Sequence, residues 1–139
     1  SLVKKRQDFI NKVQNLIVQR GWIRNFYGRR RRLTGNECYK GPNALIQGCA
    51  ADIVKHRLVV LYDYIQEHNL DTKLINIVHD EVQLQVPEYE LEHVPKFLDC
   101  LQEEELFRTF IKADVEMSNT SWADKKEVEI VDGHLVLDN

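Results

Sequence analysis

From Lys73 to Val86 the chain reads as two extended runs that meet at a polar pair, and nothing else in the sequence restricts the fold as much. Leu74, Ile75, Ile77 and Val78 crowd the first run, while Val82, Leu84 and Val86 alternate with Glu81, Gln83 and Gln85 in the second. A period of two marks extended backbone with one apolar face. Only His79 and Asp80 separate the runs, so they are expected to fold back on each other as a tight antiparallel hairpin. Pro87 ends the second run because it has no N–H to give to a ladder. Asp80 and Glu81 point to different sides of such a bend, since successive side chains in extended backbone alternate. A bend of this kind can hold a hard cation through Asp80, with Glu81 beside or behind it. A polar turn with no chemistry is the commoner use of Asp at a bend.

The rest of the sequence supplies what the hairpin packs on. Residues 1–20 read as an amphipathic helix with Phe9, Val13, Leu16, Ile17 and Val18 among Lys, Gln and Asn, and Gly21 is placed to stop it. Residues 21–41 read as a basic hairpin and loop. Gly41-Pro42-Asn43 opens a long helix over 42–68, whose apolar residues occupy more than one face, so burial of most of it is expected. Residues 90–104 read as an acidic helix with Leu91, Val94, Phe97, Leu98 and Leu101 on one side, and 112–137 as strands closed by a hairpin at Asp132-Gly133. There are no internal repeats and no linker-like tract, so the 139 residues are expected to form a single unit. Strands and helices mix without a βαβ rhythm. The expected class is α+β: a mainly antiparallel sheet with a central motif-bearing β-hairpin packed on the long buried helix and the acidic helix.

Charge is distributed unevenly. Ten Lys and Arg stand against one acid in residues 1–35, and nine against twenty-one in residues 36–139, within a net charge of -3. The basic end culminates in Arg29, Arg30, Arg31 and Arg32, a run that attracts phosphates or simply forms a solvated face. Cys38, Cys49 and Cys100 are odd in number and lie far apart, which argues for three reduced thiols over a disulfide or zinc framework. No stretch approaches the roughly 18 apolar residues of a membrane helix, and no export signal is visible. A soluble intracellular protein without a membrane partner is the expectation.

Asn43 and Gln47 lie one helical turn apart, with Gly48 and Ala51 leaving room for another backbone. Their amides suit either the acceptor atoms that every base pair shows in the minor groove or ordinary capping and internal hydrogen bonds.

In order along the chain, these pieces resemble the family A DNA polymerases, the group that includes bacterial polymerase I and several phage enzymes. Gly21-Trp22-Ile23-Arg24-Asn25-Phe26-Tyr27-Gly28-Arg29-Arg30-Arg31 is similar to the family segment G-(aromatic)-x-x-T-x-x-G-R-R-R, and Asn43 to Lys55 to N-A-P-I-Q-G-T-A-A-D-I-I-K. Ile77-Val78-His79-Asp80-Glu81 with Pro87-Glu88 is similar to the third polymerase motif, Q-V-H-D-E followed by V-P-E, and Ala113 to Trp122 resembles the closing segment that ends in Asn-Trp. Three motifs in order are far more specific than one.

The resemblance implies a C-terminal palm segment of a DNA-directed DNA polymerase, a nucleotidyltransferase of DNA replication and repair. It makes Asp80 a metal-binding catalytic aspartate of a two-metal Mg²⁺ site, with Glu81 as its support. It sets His79 against the primer terminus, Gln47 and Asn43 on the minor-groove side of the newest base pairs, and Arg29 and Arg30 on the DNA backbone. The implied partners are primer-template DNA, an incoming dNTP and the remainder of the polymerase, in the same parent protein or a second chain. The implied setting is the cytoplasm of a bacterial or phage-infected cell, or an organelle. Leu45 and Cys49 stand where the family has Pro and Thr, and Cys38-Tyr39 stands where it commonly has Glu-Arg, so a DNA-contacting Arg is missing there. The D-[YF]-S-x-[IL]-E motif and the fingers helix, which lie upstream in the family, have no counterpart in these residues. Two metals roughly 3.5–4 Å apart need both carboxylates, so the chain by itself is expected to extend no primer. The alternative is a non-catalytic DNA-binding or interaction module derived from a palm.

Overall fold

The computed structural model describes residues 1–102 and 110–136. Contacts divide the chain into two compact units, Ser1–Ile53 and Val54–Asn139, where the sequence reads as one.

In the first unit, helix α1 spans Leu2–Arg20. The Ser1 side chain accepts from the Lys4 N–H at its start, and Gly21 ends it in the left-handed conformation (φ 73°) while donating to the Ile17 carbonyl. Strands β1 (Trp22–Arg24) and β2 (Arg30–Arg32) then pair antiparallel, Ile23 opposite Arg31. A 3₁₀ segment, Gly35–Lys40, leads into helix α2, Gly41–Glu67. Val13, Ile17, Ile23 and Leu33 form the core, with Cys38, Ala44 and Leu45 packed against it. Gly41 is needed for close approach: a Cβ there would overlap Ile17 Cδ1 and stand 3.1 Å from Val13 Cγ1.

The second unit holds the remainder of α2 and the strands β3 (Lys73–Val78) and β4 (Glu81–Gln85). Helix α3 (Val94–Leu101) follows, then strands β5 (Val115–Met117), β6 (Lys126–Val131) and β7 (His134–Val136). All strand pairs are antiparallel, as β3-β4 and β5-β6-β7. The core is Leu61, Ile65, Val94 and Phe97, on which Leu74, Val82, Leu84, Val86, Val115 and Leu135 pack. Asp132 and Gly133 both adopt positive φ (51° and 75°), the pair of left-handed residues that a tight β6-β7 turn requires. Residues 103–104 of the expected acidic helix and residue 137 of the last hairpin lie outside the described residues.

Helices and antiparallel strands are mixed, as the α+β class requires. Three details differ from the sequence reading. The helix expected over 90–104 is a 3₁₀ segment, Glu88–His93, followed by α3. An α-helix begun at 90 would need an N–H from Pro95 to Leu91, whereas in the first turn of α3 the missing donor does no harm. Helix α2 is not largely buried: Ile53, Leu61 and Ile65 are, but Ile46, Val59, Val60 and Tyr62 are exposed, because no described element covers those faces. Ile75 and Ile77 are exposed as well. The register shifts between Leu74 and Asn76, which leaves Ile75 an extra residue without a cross-strand partner, while Ile77 stands opposite Val82 beside the turn.

Candidate functional site

Two groups of the residues singled out by sequence lie in different units. His79, Asp80 and Glu81 belong to the second; Arg29, Arg30, Asn43 and Gln47 belong to the first.

In the β3-β4 hairpin Val78 pairs with Glu81, leaving His79 and Asp80 as the turn. His79 has φ 57°, a left-handed conformation that is uncommon for a residue with a side chain, although His tolerates it better than most. Both turn residues are exposed. Among the described residues nothing bonds the Asp80 carboxylate, so its oxygens are open to a ligand.

Glu81, one residue on, is fully engaged. Its Oε1 accepts from Trp122 Nε1 at 2.9 Å and Gln83 Nε2 at 3.4 Å, and its Oε2 accepts from Lys125 Nζ at 3.1 Å. The same ammonium pairs with Glu116 at 2.7 Å and lies 5.2 Å from the centroid of the Trp122 ring. The Lys125 hydrogen bond holds the Glu81 carboxyl below the usual carboxylate range; partial burial opposes it, and Gln83 and Trp122 assist. Glu116 first, then Glu81, raises the Lys125 ammonium. Among the described residues no three His, Cys, Asp or Glu converge to hold a metal ion. What the turn offers a divalent cation is one open carboxylate, fit to be part of a site.

The basic hairpin has an acid beneath it. Asp52, on the α2 segment of the first unit, is 4% exposed, and it takes Arg29 by a bidentate contact, Nε donating to Oδ2 at 3.0 Å and Nη2 to Oδ1. Asn25 Nδ2 donates to the same Oδ2 at 2.6 Å, and Asn25 Oδ1 accepts from the Arg29 N–H at 2.9 Å. A recess of about 210 Å³ opens here, lined by Ile23, Asn25, Arg29, Ala44, Gly48 and Asp52 among others. Arg30 takes another role: its guanidinium lies 4.6 Å from the centroid of the Trp22 ring, with Arg20 at 3.8 Å. Asn43 and Gln47 are exposed, and their side chains bond no described group, which leaves both amides free for a ligand.

Sequence reasoning missed Asn25, Asp52, Trp122 and Lys125 as partners. Asp52 carried a signal, an acid inside the run Gly48 to Val54 that is otherwise small or apolar. Lys125 carried none.

A mixed fold of helices and antiparallel strands is what a piece of a polymerase domain presents. The sequence profile of DNA polymerase family A matches residues 3–124, and the chain belongs to that family. DNA polymerase I of Caldicellulosiruptor bescii is 34% identical over 84 residues, 60% of this chain and 10% of that protein. DNA polymerase I of Streptococcus pneumoniae (strain TIGR4) is 27% identical over 130 residues, 86% of this chain and 15% of that one. Among solved structures, the POL domain of Pol1 from M. smegmatis in complex with DNA primer-template and dNTP superposes with a TM-score of 0.62 at 26% identity, over 68% of this chain and 19% of that chain. The chain therefore spans about a tenth to a seventh of the length of such relatives. Lys125 and the β6-β7 hairpin lie beyond the matched stretch.

Proposed function

We propose that this chain is the C-terminal palm segment of a DNA-directed DNA polymerase and supplies one metal-binding carboxylate and several primer-template contacts to nucleotidyl transfer. The observation that carries the reading is Asp80: exposed, unbonded, and set in a two-residue turn inside the stretch that matches the family. In this role Asp80 binds Mg²⁺, which when bound supplies Lewis-acid activation of the primer 3′ hydroxyl and charge neutralisation at the phosphates. Glu81 does not bind the ion directly; tied to Lys125 and Trp122, it anchors the start of β4 and so the end of the turn. His79 meets the primer terminus, Asn43 and Gln47 read minor-groove acceptors from the exposed face of α2, and Arg29 and Arg30 grip phosphates. The second aspartate, the dNTP contacts and the rest of the active site come from outside these residues, and the work is done inside a cell, on DNA.

Two measurements test this. The 139-residue chain alone binds a primer-template duplex but incorporates no nucleotide; incorporation by it refutes the incompleteness. In the polymerase from the native source that contains this stretch, Asp80→Asn lowers incorporation by more than about 100-fold, since even partners of metal ligands are worth 10–100-fold, while duplex binding is kept. Undiminished incorporation would remove Asp80 from the chemistry. The alternative, a DNA-binding module without catalysis, predicts that no polymerase depends on Asp80.

A further inference from the structure

Of Arg29, Arg30, Arg31 and Arg32, only Arg29 is hydrogen-bonded to a side chain among the described residues, and its partner is a buried acid. Burying a carboxylate under a basic hairpin is unfavourable unless it is paired and hydrogen-bonded. The Asp52 oxygens meet those terms through Arg29 and Asn25. The exposure of the pair is lopsided: the Asp52 side chain is 5% exposed and that of Arg29 58%. Nε and one N–H of Nη2 face the acid, which leaves three of the five guanidinium donors for a ligand. The backbone is fixed too, because Asn25 donates to the Arg29 carbonyl at 3.0 Å and accepts from its N–H, and Gly28, at φ 84°, donates to the Asn25 carbonyl.

We propose that Asp52, seated by Asn25, is a positioning residue for DNA: it holds the Arg29 guanidinium by one edge so that the other edge meets a backbone phosphate of the duplex. The inference rests on Arg29 gripping DNA, as set out above. A free arginine gives up rotamer freedom when it binds a phosphate, and Arg29 has given it up beforehand. Coulomb attraction alone runs the other way, because an acid beside the grip repels phosphates. The two effects therefore predict opposite signs when the charge of Asp52 is removed.

The test is fluorescence anisotropy of a labelled primer-template duplex with the full chain, from about 50 to 200 mM salt, for the native sequence, Asp52→Asn, Arg29→Ala and the double variant. Positioning predicts that Asp52→Asn weakens binding by about three- to tenfold, and lowers the salt slope by about 0.9, the loss of one phosphate contact. Adding Arg29→Ala to it then changes binding by less than about twofold, the mark of two residues acting as one. The double variant leaves no orphaned buried carboxylate, so it keeps the comparison valid if Arg29→Ala alone unfolds. Equal or tighter binding by Asp52→Asn overturns the inference while leaving the grip intact. Native-like binding by the double variant overturns the grip itself, and the inference with it. In the unaltered chain, duplex should shift the Arg29 Nη resonances and leave its Nε–H signal in place; an unchanged Nη signal also overturns the proposal.

Discussion

The basic hairpin and the acidic turn are built in opposite senses. In the first, a cation reaches the surface and a buried acid holds it from below; in the second, the Glu81 carboxylate is held by Lys125, and both groups of that pair are partly in water, at 39% and 29% exposure. Beside Glu81 stands Asp80, which no described residue holds. A pair with one buried partner is poorly screened and strongly geometric, whereas a pair in partial contact with water is weak and salt-sensitive. The hairpin is thus made for a fixed orientation, and the turn leaves the Asp80 carboxylate free to adapt.

The two sites differ most at Arg29. Removing one partner of a buried pair typically costs about 3–5 kcal/mol; here the guanidinium is half in water and Asn25 still bonds the acid, so Arg29→Met is expected to destabilise by roughly 2–3 kcal/mol in urea titration. A value near zero would make the pair no different from a surface one. A smaller effect is expected at Glu81, and it depends on pH. Its folded-state carboxyl lies below the ordinary value near 4.5, so the stability it contributes is present above that value and is lost as pH falls through the lowered one. Glu81→Gln should flatten the acid limb of a stability profile below about pH 4.5, and added salt should shrink the difference. Asp80→Asn should change stability least, by within about 0.5 kcal/mol, as for a surface residue without a described partner. A larger loss would mean that Asp80 is held like its neighbour.

Much of this molecule was legible in the chain itself. Gly21 ends α1, and His79-Asp80 and Asp132-Gly133 turn their hairpins, because each of these is decided by a few adjacent residues and their dihedral preferences. The candidate site was legible as a set of residue types at motif spacing. What could not be read was occupancy. An apolar residue on α2 looks the same in sequence whether it meets Phe97 or water, so the exposure of Val59 and Tyr62 came as a difference. Pro95 could have warned that the helix expected from 90 would begin later.

Local periodicity and turn chemistry were thus the sequence's own contribution, since backbone geometry acts over a handful of residues. Which charges are bound and which are free was left to tertiary structure. Arg29 and Asp52 are 23 residues apart, and Glu81 and Lys125 are 44 apart. Hydrogen bonds act over about 3 Å, so only the folded path of the chain could decide that Glu81 is engaged and Asp80, its neighbour, is open.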